Sequence, residues 1–192
     1  MATASNSSFR PYQYGAYHMI GNDNWEPQRT NNFEIHIYGL DSLTSADKGL
    51  SMPSNAGKFL TLSTDSVGDL GVNIDALNVD YGNNRIHFAG KPDYSTISLS
   101  FNDFVGLETE RIIAAWHKLV YNPKTQQIGR ASVYKKPAHL LGFSPDGDYI
   151  KCWELHGCFP TSVSYTGYNQ SSADIRKISV TLSIDYAIPL DD

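Results

Sequence analysis

Arg176-Lys-Ile-Ser-Val-Thr-Leu-Ser-Ile-Asp-Tyr186 alternates between apolar and polar residues without an error. Ile178, Val180, Leu182, Ile184 and Tyr186 fall on one parity, and Lys177, Ser179, Thr181, Ser183 and Asp185 on the other. A period of two over this length describes a strand with one dry face and one wet face. Its β-branched residues favour the extended backbone. Ahead of it lies Trp153-Glu-Leu-His-Gly-Cys-Phe-Pro-Thr-Ser-Val163. Pro160 cannot donate to a ladder, so this stretch reads as a strand ending at Gly157 and a Pro-Thr-Ser corner. Residues 149–187 together read as strand, corner, strand.

The rest of the chain points the same way. Phe33, Ile35 and Ile37 alternate with Glu34, His36 and Tyr38, giving a first strand closed by Gly39. Residues 41–58 form a long polar connection, a length that often marks a binding element. Two strands are expected over 59–67 and 70–79. In the second the apolar parity switches near Asp75-Ala76, which predicts a β-bulge or bend. Gly82-Asn-Asn84 is a turn, and residues 85–89 a return strand ending at Gly90. Residues 95–101 alternate again, with Ile97, Leu99 and Phe101 on one face. One helix is expected over 107–120. Ile112, Ile113, Trp116, Leu119 and Val120 make an amphipathic stripe, Glu108 and Glu110 sit near its start, and Lys118 sits near its end. Asn122-Pro123 stops it. Two further strands, 131–143 and 148–157, are joined by Ser144-Pro-Asp-Gly147, an order suited to a type I turn. Pro137 demands an edge or bulged position.

Composition narrows the function. The 192 residues suit one domain, with residues 33–192 as its body. Residues 1–32 read as an arm, because Phe9, Tyr12, Tyr14, Tyr17 and Trp25 are unusual in a free tail. A net charge of −5 removes a chain-wide basic footprint for nucleic acid. No apolar run reaches membrane-spanning length, and the first residues lack a signal-peptide core. Two cysteines fit a reducing compartment, so synthesis in the cytoplasm is expected.

No catalytic, cofactor-binding or metal site is expected. Cys152, Glu154, His156 and Cys158 share a parity, but four alternate strand positions extend over about 20 Å, too far for one ion. Two neighbours among the four would need a ligand from elsewhere. Gly142-Phe-Ser-Pro-Asp146 lacks the final glycine of a nucleophile elbow. There is no phosphate-binding loop and no dinucleotide fingerprint. An enzyme is not expected.

The Gly157-Cys-Phe-Pro-Thr-Ser162 corner followed by the strand Ile178-Ser-Val-Thr-Leu-Ser-Ile-Asp-Tyr186 resembles the C-terminus of the tail tube proteins of contractile-tailed bacteriophages. The resemblance extends over residues 31–186, with a longer connection at 41–58 than the family carries. It implies a mainly β protein, an antiparallel β-sandwich or barrel with one flanking helix (about 107–120) and long loops, completing a β-barrel across a hexameric ring. It implies a structural virion protein, assembled in the host cytoplasm into stacked homohexameric rings of the tail. Sheath and baseplate or tail-terminator proteins would be its partners. Genomic DNA would pass through the lumen without sequence-specific binding, and no membrane insertion by this chain is implied. Six copies at −5 would carry about −30 per ring, and a bore of that sign would let DNA slide without sticking. By the same resemblance the hairpin 70–88 lines the channel and reaches the next ring. A baseplate tube-initiator, a haemolysin-coregulated-like secretion ring and a plain β-barrel binding module are the alternatives.

Overall fold

A computed structural model describes residues 28–41, 52–171 and 173–190. The first strand, β1 (Phe33–Ile37), buries Ile35 and Ile37 as the alternation requires. The next element differs from expectation. Residues 56–63 form a helix, α1 (Ala56–Ser63), and only then β2 (Thr64–Val67). Ala56, Leu60 and Ser63 are buried at helical spacing, while Leu62, on the parity of Leu60, is exposed. The Ser63 hydroxyl donates to the Phe59 carbonyl at 2.8 Å, and Thr64 Oγ1 to that of Leu60 at 2.8 Å. These hydroxyls let strand-favouring residues close a helix. The expected loop 41–58 therefore ends in the first turn of α1; its residues 42–51 lie outside the described ones.

A hairpin follows, β3 (Val72–Tyr81) and β4 (Asn84–Tyr94), turning at Gly82 with φ +61°. The return strand continues beyond Gly90, where a shorter one was expected. Then β5 (Ile97–Asn102) buries Ile97, Leu99 and Phe101 together, as predicted. The predicted helix is α2 (Thr109–Val120), which buries Ile112, Ile113, Ala115 and Trp116. It ends into the minor pair β6 (Tyr121–Asn122) and β7 (Gln127–Ile128). Residues 131–134, expected to be extended, form the short helix α3 (Ala131–Tyr134). The indole N–H of Trp116 donates to the Tyr134 carbonyl at 2.8 Å, tying α3 to α2.

The strand β8 (Lys136–Phe143) has a register shift at Pro137, the bulge its missing N–H demands. Gly147 N–H donates to the Ser144 carbonyl at 3.0 Å, closing the predicted turn. The chain then enters β9 (Tyr149–Tyr165), seventeen residues long. It neither ends at Gly157 nor turns a corner at Pro160. Gly157 takes φ +68°, a glycine conformation, and the strand continues. Pro160 stays in the ladder opposite Leu182, while the extra residue Thr161 is bulged out beside it. The proline is absorbed by an irregularity rather than by a reversal.

The terminal run pairs along this whole strand. β10 (Lys177–Ser183) pairs with residues 159–165 of β9, and β11 (Tyr186–Leu190) with residues 152–156. Ile178, Val180, Leu182 and Ile184 are buried as expected; Tyr186 is not, because the strand is interrupted at 184–185 and changes its surroundings there.

The order β1–β8–β9–β10–β5–β2, with β11 beside β9, makes two four-stranded layers sharing β9. One is β1, β8, the first half of β9 and β11. The other is the second half of β9, β10, β5 and β2. Ile35, Ile37, Ala138 and Leu155 from the first layer join Leu99, Phe101, Val180 and Leu182 from the second, with α1 and α2, in one core. Each of these side chains other than Ala138 contributes roughly 1.5–3 kcal/mol by leaving water. The mainly antiparallel β architecture with a flanking α2 agrees with expectation, to which α1 and α3 are additions.

Candidate assembly surfaces

The hairpin β3–β4 stands apart from both layers. Every residue of β3 is exposed, and on β4 only Gly90 and Tyr94 are partly covered. Its base is tied by Ser95 N–H donating to the Gly71 carbonyl and Gly71 N–H donating to Ser95 Oγ, at 3.0 and 3.1 Å.

The register decides which side chains share a face. In the outer half Leu77 pairs with Phe88 and Val79 with Ile86, and Tyr81 lies on the same face. The reverse face of that half carries Asn78 bonded to His87 at 2.5 Å and Asp80 bonded to Arg85 at 2.8 Å. In the inner half the order is inverted. Val72 opposite Tyr94 and Ile74 opposite Pro92 lie on the face that is polar further out. The predicted bulge is there, between Ile74 and Ala76, but its extra residue is on β4. Gly90 and Lys91 together oppose Asp75. Gly90 is required, since a Cβ would lie 2.5 Å from the Asp75 carbonyl oxygen. Apolar surface thus crosses from one side of the ribbon to the other. An isolated two-stranded ribbon is marginal in water, and contiguous exposed apolar side chains mark an interaction site.

Strand edges are the second surface. That of β1 is covered: Thr61 Oγ1 on α1 donates to the Ile35 carbonyl at 2.8 Å, and Gly57 packs against the Ile37 carbonyl. Among the described residues, β2 and β11 pair on one side only, as does the second half of β9. Such edges pair with other chains unless blunted. Pro189 partly blunts β11, and β2 is only four residues long.

Of the side chains suspected of metal chemistry, Glu154 and His156 stay together while Cys158 is turned away from them. Left-handed Gly157 breaks the alternation, so Cys158 is buried in the core, away from the face of Glu154 and His156. Burial pushes the Cys158 thiol up to about 12, with the Asp185 carboxylate adding to the shift. Glu154 Oε1 lies 3.2 Å from His156 Nε2 and 4.0 Å from His139 Nε2, and His156 stacks on Tyr186. Among the described residues no group of three His, Cys, Asp or Glu side chains could hold a metal ion.

Sequence reasoning missed one cluster. Arg176 Nη1 donates to Asp103 and, at 2.6 Å, to Glu110, and the guanidinium stands over the rings of Tyr165 and Tyr168. It fastens the entry of β10 to the start of α2. Seventy-three and sixty-six residues separate the partners, and no periodicity reports that. Lys177 likewise binds Asp65 at 2.6 Å, and this bond holds the Asp65 carboxyl below the usual aspartate range.

No family model matches the chain, and no curated protein matches it in sequence. Solved structures do. A chain of the sheath–tube complex of an extracellular contractile injection system (PVC), in its extended state, is 20% identical, with 92% of this chain and 97% of that one covered at a TM-score of 0.62. A chain from the tube-terminating cap of the anti-feeding prophage is 20% identical over 87% and 93%, with a TM-score of 0.60. The SPP1 tail tube is 11% identical over 86% and 80%, with a TM-score of 0.50. These are structural components of tubes and their caps rather than enzymes. The chain has a phage tail tube-like fold.

Proposed function

We propose that this chain is the structural subunit of a tail tube, forming homohexameric rings that stack around a central channel in a contractile particle. The observation that carries the reading is the β3–β4 ribbon, which leaves the sandwich with apolar surface on both sides and no cover for it within the described residues. On a fold shared with tube components, such a ribbon acquires its cover from neighbouring subunits. The half-paired edges of β2, β9 and β11 supply a second means of joining copies. The N-terminal arm, residues 1–32, is proposed as an appendage of the 33–192 domain.

In this reading the virion tail is the site of action, reached after assembly in the host cytoplasm. Sheath and baseplate or terminator proteins flank the tube, and DNA passes through the bore during ejection. A ribbon face whose charges are already matched, Asp80 with Arg85, suits a bore that must not hold a polyanion. A position at the end of the tube, as initiator or cap, is the second reading; the likeness to a cap chain at a TM-score of 0.60 favours it. Negative-stain images of the purified chain test the proposal. Six-fold rings and stacked tubes are expected, lone rings favour the end position, and a monomer at every concentration refutes both.

A further inference from the structure

The β3–β4 ribbon and a second apolar surface lie at opposite ends of β5. Ser95, which ties the base of the ribbon to Gly71, comes just before that strand begins. Phe104 and Val105 come just after it ends, and Val105 is fully exposed. Asp103 N–H donates to the Arg176 carbonyl at 3.0 Å, which sets the chain at Ile175 beside that at Phe104. The Arg176 guanidinium stands 5.9 Å from the ring centre of Tyr165 and 4.8 Å from that of Tyr168. Phe104, Val105, Tyr165, Tyr168 and Ile175, all exposed, are therefore gathered around one guanidinium where α2 begins.

Size, charge and placement match this patch to the ribbon of a second copy. At their exposures, Phe104, Tyr165 and Tyr168 still offer about 350 Å² of ring surface. Tyr81 and Phe88 on the ribbon offer about 250 Å², to which Leu77, Val79 and Ile86 add. A stable contact takes about 800 Å² from each partner, so the rings alone supply a third or more of it. Both surfaces close their ion pairs internally: Asp80 with Arg85 on the ribbon, Arg176 with Asp103 and Glu110 and Arg111 with Glu108 beside the patch. Bringing them together therefore separates none of these pairs, and no charge is buried alone. With the ribbon at one end of a strand about 20 Å long and the patch at the other, two copies meet head to tail. Such a contact leaves one ribbon and one patch free, so it repeats along a line. A ribbon-to-ribbon contact would be self-complementary and would stop at two copies with both patches bare.

We infer that the patch of Phe104, Val105 and Tyr168 receives the outer apolar face of the β3–β4 ribbon of a second copy, and that this contact joins one ring to the next. The inference rests on the tube reading and names the surface that the ribbon meets. It also gives the tube a direction. One end presents bare ribbons and the other bare patches, so the proteins that start and close the tube meet different chemistry.

Two measurements test it. In negative stain the unaltered protein should give tubes, and Val105→Lys combined with Tyr168→Ala should give lone six-fold rings. The thermal midpoint should stay nearly unchanged, because Val105 is fully exposed and Tyr168 is 88% exposed. For cross-linking, Val79→Cys and Val105→Cys are prepared separately; Cys152 and Cys158 are buried, so each variant carries one accessible thiol. A short bismaleimide should join a mixture of the two several-fold more efficiently than either variant alone. Tubes formed as readily by the double variant overturn the inference and leave the tube reading standing. Monomers from it move the patch inside the ring and overturn the ring-to-ring assignment. Cross-linking of Val79→Cys alone that equals the mixture assigns the ribbon to a second ribbon and also overturns it. A midpoint lowered by more than about 5 °C would show that the patch packs on its own domain. An unaltered protein that stays monomeric removes the tube reading, and this contact with it, so the two failures are distinguishable.

Discussion

Replacing Leu77 and Phe88 together by threonine strips the centre of the ribbon's outer apolar face while keeping two β-branched, strand-favouring residues opposite each other. Leu77 is 60% exposed and Phe88 53% exposed in the single chain, so little of either supports the subunit's own core. Complete burial of such a side chain contributes roughly 1.5–3 kcal/mol, and about half of that is still available to a neighbour. Each residue therefore offers about 1 kcal/mol to assembly, and the pair about 2. A loss of that size is about thirtyfold in the association constant of each contact. The monomer should change by no more than about 0.5 kcal/mol, under about 2 °C in melting midpoint for a chain of this length. Sedimentation velocity across a concentration series measures the first quantity and thermal circular dichroism the second. Association unaltered within a factor of three would show that the ribbon is not an interface. A midpoint lowered by more than about 5 °C would show that it packs on its own domain. Either result refutes the reasoning.

Three further outcomes are expected. Gly157→Ala should destabilise the fold by about 1–2 kcal/mol, because φ is +68° and a Cβ would run into the Asp185 carboxylate that Lys135 holds at 2.6 Å; urea unfolding reads this. Leu182→Ala should cost about 2–5 kcal/mol and Leu182→Asp should prevent folding, since Leu182 is fully buried between the layers; far-ultraviolet circular dichroism of the two variants separates the cases. The lowered folded-state pKa of Asp65 gives a stabilisation that is present above its unfolded value and lost as pH falls through the folded one. Asp65→Asn should therefore lower the melting midpoint slightly at neutral pH and converge with the unaltered protein as pH falls below the normal aspartate range, which flattens a small part of the acid limb.

How far the fold could be read depended on whether its cause was local. Strands β1, β5 and β10 and helix α2 declare themselves, since one face of each is dry and the dry residues recur at the element's own period. Residues 56–63 do not, because Phe59, Leu60 and Leu62 suit a strand equally well, and packing of Ala56 and Leu60 against β1 and α2 settles the matter. At Gly157 and Pro160 the local signals are breakers. The long partner formed by β10 and β11 overrides them, converting a stop into a bend. For the assembly surface, the parity switch at Asp75–Ala76 was visible. Its meaning was not, because the extra residue belongs to the opposite strand and only the register reveals it. The ion pairs of Arg176, Lys177 and Lys135 depend on chain reversals that no window of sequence spans.

The shared strand β9 has a mechanical consequence. Its seventeen residues, roughly 55 Å of extended backbone, run through both layers, the first half laddered in one and the second half in the other, over a single core. Pulling either layer away exposes the core that both cover, and the molecule should lose its structure in a single concerted step. Tension applied between the two ends of the sandwich loads the ladders of β9 with β10 and β11 in shear along their length, many hydrogen bonds at once, instead of tearing them one by one.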